Sequence, residues 1–303
     1  MPTLYTHYKF GNDVLNKLNN NQKESIKKEI KYYNMFNQGF DNLYYYHIHW
    51  KYYKNFGVRA HKKKVDIFFK NIFKFIKENK LENDSSITNM IYGFINHYTL
   101  DTIMHPYINY QVKNLKIPHT KIEFMLDAIY INNNPKFKWK NKIYKTLIPK
   151  LKFNKNLINT INYTFNQTHD EKNIGKIFNK SHNNSYYIYR YFINDNHKIK
   201  SFLYKIIDYL MPNLDTTLHE NTFNINIFDK RILNNQKNIW HHPNNNKETY
   251  DYSIQELYNY ALKISIKLNK EAYKVLNNKL DIQTFLDNIN LINLKNMKQL
   301  LKK

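Results

Sequence analysis

Histidine and aspartate alternate at four-residue intervals within one stretch of the sequence, Gly93–Tyr110. His97, Asp101 and His105 follow one another at this interval. Each residue of an α-helix turns by about 100°, so residues four apart lie about 40° apart around the axis and point to one side. Imidazole and carboxylate groups that converge in this way can bind a metal ion. The spacing therefore predicts a metal site on one face of a helix.

A second pair of candidate ligands follows soon after the first motif. Pro118 suits the first turn of a helix, and His119 and Glu123 are again four residues apart. Pro106 lacks an amide hydrogen and crowds the preceding turn, so the first helix is expected to end or kink near His105. The spacing alone leaves a second interpretation open, in which His119 and Glu123 form an ordinary ion pair on a solvated helix face.

Three candidates lie upstream, and the absence of cysteine limits the chemistry. They are His7, Asp41 and His61. A chain without Cys has no disulfide, no thiolate nucleophile and no Cys-bound zinc, whereas His and carboxylate ligands suit catalytic zinc. An isolated histidine is commonly a hydrogen-bonded core residue, and Asp41 alone could be a turn residue or N-cap. No spacing typical of ligands surrounds the remaining candidates His169, His182, His197, His219, His241 and His242.

Helical periodicity dominates the rest of the sequence. With 5 Gly and 7 Pro in 303 residues, the chain has few of the residues that punctuate strands and turns. We therefore expect an all-α protein. No Pro-, Gly- or Ser-rich linker divides it, so residues 1–303 are expected to form a single domain with a sizeable core. The Asn-rich pieces "INNNPKFKW" and "HHPNNNKETY" are expected to be loops.

Three segments carry the helical pattern most clearly. Segment 83–101 includes His97 and Asp101 of the first metal motif and offers Asp84 among its possible N-caps. Ser253 and Glu256 form a capping box ahead of a late amphipathic helix. Segment 62–79 repeats apolar residues at i, i+3, i+4 spacing. Its stripe consists of Val65, Phe68, Phe69, Ile72, Phe73 and Ile76.

The formal net charge of +23 would suggest nucleic acid or an anionic membrane as a partner. The Lys residues are scattered along the whole chain, and Lys, Asn, Ile, Tyr and Phe are the residues that an AT-rich genome overproduces. We therefore attribute the charge to compositional bias rather than to nucleic-acid binding. No apolar run reaches the roughly 18 residues of a membrane span, and "MPTLYTHYKFG" has no signal-peptide pattern. A soluble, cytoplasmic protein is expected.

Five short segments match one protein family in their order and internal spacing. They are Thr6-His7-x2-Phe10-Gly11, Gly39-x-Asp41, Arg59-x-His61-x2-Lys64, Gly93-Phe94-x2-His97-x3-Asp101-x3-His105-Pro106-Tyr107 and His119-x3-Glu123. Together they resemble the zinc-dependent phospholipase C family of bacteria, and the likeness is densest from residue 3 to about 130. It returns weakly at Trp240-x-His242-Pro243 and "SIQELYNYAL", which resemble the family's last helices. Gly39-Phe40-Asp41 departs from the family's more usual Gly-Pro-Asp but keeps the carboxylate.

The resemblance implies an all-helical domain with two to three zinc ions at the base of a cleft. The implied ligands fall into three sets: His61, His97, Asp101 and Asp41 in the central part of the cluster; His105, His119 and Glu123 at a separate zinc; and His7 with the chain's terminal amino group at the remaining ion. Asp101 would bridge two metals, and Asp41 would also orient or deprotonate the attacking water.

The activity implied by the resemblance is hydrolysis of a phosphodiester that releases a phosphate monoester. The expected partners are a phospholipid or another phosphodiester substrate and, transiently, an anionic membrane surface, with no obligate protein partner. One alternative is a zinc-dependent single-strand nuclease, whose substrate a basic, Tyr-rich surface would hold. Another is a protein that keeps zinc as a structural staple and binds lipid without cleaving it. His-Pro-Tyr after the third ligand favours the phospholipase.

Overall fold

The structure is a computed structural model, and it describes residues 4–46, 64–134, 147–189 and 228–292. It also describes the isolated positions Gly57, Ala60, Phe202, Lys205, Ile206, Tyr209, Asn226 and Leu294. Within these parts the protein is mostly helical, with one two-stranded hairpin. The all-α prediction is therefore confirmed for the helices and departs from the structure at the hairpin.

The described elements follow one another along the chain. They are α1 Leu4–Lys17, α2 Asn20–Lys28, α3 Ile30–Phe36, a 3₁₀ segment Gly39–Tyr45, α4 Val65–Asn79, α5 Ser85–Leu115, α6 His119–Asn132, α7 Lys155–His169, α8 Ile174–Ile188, a second 3₁₀ segment Lys230–Leu233, β1 Trp240–His242, β2 Asn245–Tyr250, α9 Ile254–Leu276 and α10 Ile282–Asn290.

Local sequence signals explain where several helices begin and which face they bury. The Asp84 carboxylate accepts the amides of Ser86 and Ile87 and so caps α5. The capping box of Ser253 and Glu256 starts α9. All six residues of the predicted α4 stripe are buried, which confirms that prediction. None of the described helices is both long and apolar enough to cross a membrane.

Helix α5 is the centre of the fold, and it carries three of the eight candidate ligands. It is 31 residues long and packs most extensively against α3 and α9. Gly93 permits the close approach of α3, because a Cβ atom at this position would lie 2.6 Å from the carbonyl carbon of Phe36. A helix surrounded on most sides in this way has little freedom to rotate, which fixes the face that its ligands occupy.

The helix was expected to end or kink near His105, and of these two alternatives the structure contradicts the first. Pro106 lies inside α5, which continues to Leu115. The proline leaves the carbonyl of Thr102 without its usual helical partner, a local cost. Packing outweighs it, because Tyr107 and Ile108 in the following turn are both buried. The turns beyond Pro106 therefore remain available to position residues of their own.

Asn96, next to the ligand His97, forms the centre of a buried amide network. Its Nδ2 donates to the Tyr33 hydroxyl at 2.8 Å, and its Oδ1 accepts from the Ser265 hydroxyl at 2.6 Å and from Asn269 Nδ2 at 2.8 Å. These bonds connect α5 to α3 and α9. Buried polar groups are tolerated when they are satisfied in this way, and the network fixes the helices relative to one another.

The hairpin contradicts two predictions. Trp240–His242 forms β1 rather than a late helix, and most of the Asn-rich piece predicted to be a loop forms β2. Trp240 pairs with Tyr250 across the strands, and both side chains are buried. The two aromatic anchors hold a strand pair whose other residues have low β propensity. Helix α9, by contrast, confirms the helix predicted from "SIQELYNYAL".

Candidate metal centre

Four candidate ligands converge where α1, the first 3₁₀ segment and α5 meet. His7 is on α1, Asp41 is in the 3₁₀ segment, and His97 and Asp101 are on α5. One ligand atom from each residue lies within 4.8 Å of the others. We call these four residues the first ligand group. Only His97 and Asp101 are close in sequence, so the fold brings the group together.

Asp101 is the most highly connected member of this group. Its Oδ1 lies 3.2 Å from His7 Nε2, and its Oδ2 lies 3.4 Å from His97 Nε2. Asp41 also approaches His97, with its Oδ2 3.8 Å from His97 Nε2. The two oxygens of Asp101 therefore face different imidazoles, the arrangement required of a carboxylate that bridges two ions.

The second ligand group consists of His105, His119 and Glu123, which α5 and α6 contribute from adjoining turns. Glu123 Oε1 lies 3.2 Å from His105 Nε2 and 3.0 Å from His119 Nε2. His119 Nδ1 lies 3.1 Å from Asn109 Oδ1. Asn109 Oδ1 is a hydrogen-bond acceptor, so it favours the tautomer of His119 that carries its proton on Nδ1. In that tautomer Nε2 is the nitrogen that could bind a metal ion.

The two groups adjoin but differ in their access to solvent. His105 Nδ1 lies 3.5 Å from Asp101 Oδ2, so one imidazole stands between the groups. The side chains of His105 and His119 are 32% and 34% exposed, whereas those of His7 and His97 are buried. The second group therefore opens to solvent, and the first is enclosed.

Mutual attraction sets the ionisation of this centre in the absence of metal. Burial disfavours the charged form of Asp101, but the three surrounding imidazoles hold its pKa well below its usual range. Burial also opposes the charging of His105, yet Asp101 and Glu123 raise its pKa to about 9. The pKa of Glu123 is lowered because His119 and His105 outweigh its burial. At neutral pH the carboxylates are thus ready to bind a cation, while His105 still holds a proton.

Metal affinity is consequently expected to rise with pH. A metal must displace the His105 proton, so below the His105 pKa of about 9 the apparent affinity should increase about tenfold per pH unit for that proton alone. The slope should flatten above that pH, since the carboxylates are already ionised. Competition with a calibrated chelator at several pH values measures the slope, and His105→Gln should make it shallower. A pH-independent affinity would contradict this account of His105.

Helix α6 also positions His7, through a residue that the sequence motifs do not include. The Asp127 carboxylate accepts the backbone amides of Tyr5 and Thr6 at 2.9 and 2.7 Å and the Thr6 hydroxyl at 2.6 Å. These amides belong to the first turn of α1, so Asp127 acts as a cap from a distant helix. Because His7 is the next residue of α1, this cap sets the position from which its imidazole reaches Asp101.

Gly39 leaves the space that the His97 ring occupies. The residue has φ +52°, and a Cβ atom there would lie 1.9 Å from Cδ2 of the His97 ring. The 3₁₀ segment can therefore pass across the imidazole only with glycine at this position, and the same turn delivers Asp41 two residues later.

Replacement of Gly39 by alanine is expected to displace His97 and lower the metal content. The left-handed conformation costs alanine about 1–2 kcal/mol, and the contact with the ring adds to it. The matched control is Gly175→Ala on α8, where a Cβ would lie 2.6 Å from the carbonyl oxygen of Ile158, away from both ligand groups. Both variants should be destabilised, but only Gly39→Ala should lose metal per folded molecule. Equal zinc content in the two folded variants would disprove the role of Gly39.

The chemistry of the groups fits a metal ion of the zinc type. The first group offers two imidazoles and two carboxylates, and the second offers two imidazoles and one carboxylate. Nδ1 of His7 is buried and has no hydrogen-bond partner among the described residues. The nitrogen of His7 that faces Asp101 is Nε2, so an ion beside Asp101 would bind Nε2, and the fit to a metal rests on the set of donor groups. His61 and the terminal amino group, the other implied ligands, lie outside the described residues.

Sequence reasoning gave no supporting role to three residues that position the candidate ligands: Gly39, which it named only as part of a motif, Asn109 and Asp127. Two of them carried a signal, because Asn109 continues the four-residue series of His97, Asp101 and His105, and Asp127 continues that of His119 and Glu123. The other histidine for which the structure shows a clear role is His182. It is buried, its Nε2 donates to the Pro149 carbonyl at 2.7 Å, and burial lowers its pKa to about 4, as befits a neutral core histidine.

Comparisons with known proteins assign no family to the chain, so its function has to be argued from these residues. No protein-family model, curated protein or solved structure matches the chain. The resemblance to a zinc-dependent family rests on short motifs, and the two ligand groups are the structural feature to which a function can be attached.

Proposed function

We propose that the protein is a zinc-dependent phosphodiester hydrolase that releases the phosphorylated head group of a phospholipid. The observation that carries the proposal is the position of Asp101, which lies within 3.5 Å of an imidazole nitrogen from each of His7, His97 and His105. One carboxylate thus joins the two ligand groups, as a centre that holds neighbouring ions would require.

Zinc is the ion that the donor atoms favour. Magnesium and calcium prefer sites made of oxygen atoms, whereas both groups here contain two imidazoles each. Sites of His and carboxylate without Cys are typical of zinc that keeps a coordination position open for water. The half-exposed second group fits that requirement, because solvent reaches His105 and His119.

In the proposed hydrolysis, the zinc ions and the protein side chains would have different roles. When bound, zinc lowers the pKa of water and stabilises negative charge on phosphoryl oxygens. Asp41 is buried beside His97 and accepts a proton from, or orients, the attacking water. His97 and Asp101 hold their positions through α5, so the attacking group meets a rigid set of charges, which is the condition for electrostatic catalysis.

The motif His105-Pro106-Tyr107, which in the resemblance follows the third ligand, favours a lipid over other phosphodiesters. The net charge of +23 would draw the protein to an anionic bilayer surface, but it would draw it equally to a nucleic acid and so does not distinguish the two substrates.

Zinc-loaded protein should hydrolyse a short-chain phosphatidylcholine or phosphatidylethanolamine, or a chromogenic phosphocholine ester. A chelator should abolish the activity and zinc should restore it. His119→Ala should be inactive, whereas His242→Ala, a histidine on the hairpin outside both ligand groups, should match the unaltered protein. Activity should depend only mildly on salt, because a zwitterionic head group held mainly by zinc releases few counterions.

The same assay decides between the alternatives. Rapid zinc-dependent degradation of single-stranded DNA, with steep loss of binding as salt rises, together with an inert lipid, would replace the proposal by a nuclease. Inertness toward both substrates with zinc fully bound would replace it by a non-catalytic zinc protein.

A further inference from the structure

A cavity of about 580 Å³ lies on the side of α5 that faces away from the metal ligands. Tyr107 lines it and comes two residues after His105, so the two side chains are about 200° apart around the helix axis. Gln111 and Asn114 continue the same face one and two turns later. The opposite wall is the segment from Lys230 to β1. The cavity is therefore separate from both ligand groups, and its volume is in the range of small-molecule sites.

The inner wall of the cavity is an aromatic cluster with little freedom to move. The ring of Trp240 meets Tyr107 edge-on, with centroids 5.2 Å apart, and lies 4.9 Å from the ring of Tyr250. Its indole Nε1 donates to the carbonyl of Tyr252 at 3.1 Å. The aromatic wall is thus formed before any ligand arrives.

The rim is preformed as well, through Asn234. Its Nδ2 donates to the carbonyls of Asn238 at 3.0 Å and of Tyr252 at 3.2 Å, while its Oδ1 accepts the Asn238 amide at 3.0 Å. Lys237 in the same turn forms an ion pair with Glu256 at the start of α9. These bonds fix the turn on both sides. The side chains that it directs into the cavity therefore lose little conformational entropy when they bind a ligand.

Several polar groups of this rim have no partner within the described chain. Lys230, Asn235 and Gln236 are exposed, and none of their side chains makes a hydrogen bond or ion pair there. Arg231 differs, since its guanidinium is paired with Asp229 at 2.6 Å. A neighbouring cavity of about 420 Å³ shares two lining residues with the first and adds Lys113.

The electrostatic balance of the site is positive. No carboxylate is found among the described residues that line either cavity. The C-terminus of α5 at Leu115 contributes a partial negative charge of about half a unit, which the ammonium groups of Lys113 and Lys230 exceed. An anion is therefore favoured over a cation or a neutral molecule, and the amide groups of Asn235 and Gln236 can bond to the hydroxyls or ring atoms attached to it.

We propose that this cavity binds a small phosphate ester, a phosphorylated sugar or nucleoside, independently of the metal centre. Lys230 would contact the phosphate, the rim amides would bond to the organic part, and the exposed Ile239 and partly buried Tyr110 would pack against it above the buried aromatic cluster. Inorganic phosphate alone would use only the first of these contacts. The ligand groups lie on the other side of α5. This proposal therefore does not depend on the hydrolase activity, and an experiment can refute either one without the other.

Calorimetric titration of the full-length, zinc-loaded protein with ribose 5-phosphate tests the inference. Saturable binding in the millimolar range or tighter is expected, with ribose and inorganic phosphate each at least about tenfold weaker. Lys230→Glu should weaken binding by about tenfold or more, because it removes one charge-assisted contact and adds a repulsive charge. Lys247→Glu makes the same charge change on the exposed face of β2, outside both cavities, and should stay within about twofold.

Zinc content and phosphodiesterase activity should be unaltered in both variants, since neither residue belongs to the ligand groups. Gln236→Ala, a neutral change in the rim, should weaken ribose 5-phosphate by a few-fold while leaving inorganic phosphate unaffected. The inference is overturned if the protein shows no saturable binding up to about 10 mM, or if Lys230→Glu binds as tightly as the unaltered protein. Hydrolase activity that persists alongside such a result leaves the proposed function intact.

Discussion

Asp41→Asn is expected to lower turnover of a phosphodiester substrate by about 10²- to 10⁴-fold while most of the metal stays bound. Asparagine keeps the size and one oxygen of the side chain but cannot take a proton from water. The other three members of the first ligand group, His7, His97 and Asp101, remain to hold an ion. The loss corresponds to roughly 3–5 kcal/mol of transition-state stabilisation.

The measurement pairs turnover with metal analysis of the same preparation. Asp287→Asn is the matched control, because it makes the same chemical change at an exposed position on α10. The control should retain full turnover and full zinc content. Undiminished turnover in Asp41→Asn would remove this residue from the mechanism, and complete loss of zinc would make it a ligand rather than a base.

Asp101→Ala is expected to empty both ligand groups. The unaltered protein should contain two to three zinc ions per chain, and this variant less than one, because Asp101 faces imidazoles of both groups. The free energy of unfolding should fall by several kcal/mol, since the binding energy of a structural zinc, about 10–16 kcal/mol, is also folding energy. Removal of the carboxylate further leaves the buried imidazoles of His7 and His97 without their acidic neighbour.

His119→Ala separates this effect from ordinary ligand loss. Among the candidate ligands, His119 lies against Glu123 and the ring of His105, both of the second group, so this variant should lose the ion of the second group and keep that of the first. Elemental analysis and thermal unfolding of the two variants measure the difference. Full zinc content in Asp101→Ala would contradict the joined centre, and equal losses in the two variants would mean that the groups bind metal as a single unit.

Residues close together in sequence were predictable, because helical period alone determines their geometry. His97 and Asp101 share one face of α5, and His119 and Glu123 share one face of α6, as their spacing of four requires. The apolar stripe of α4 followed from the same rule. These predictions needed only the assumption that each segment is a helix.

Helical period does not predict contacts between segments that are far apart in the sequence. Nothing in the sequence around His7 states that it meets Asp101, and the contact depends on the cap from Asp127 and on the packing of α1. The need for glycine at position 39 arises only because the His97 ring lies against it. The hairpin was missed because its second strand, Asn-rich and charged, is held by tertiary packing of Trp240 rather than by its own propensity.

The bond between Thr6 and Asp127 spans 121 residues, whereas His105 and Glu123 are 18 apart. The entropy of closing a chain segment grows with the logarithm of its length, so the longer closure costs roughly 2 kcal/mol more. During synthesis α1 emerges long before α6, its partner, exists. Helices α5 and α6, which carry the whole second ligand group, can therefore pair before α1 makes its contacts with α6. Of the two ligand groups, the first is therefore expected to form second, and metal capture there would follow the pairing of α5 with α6.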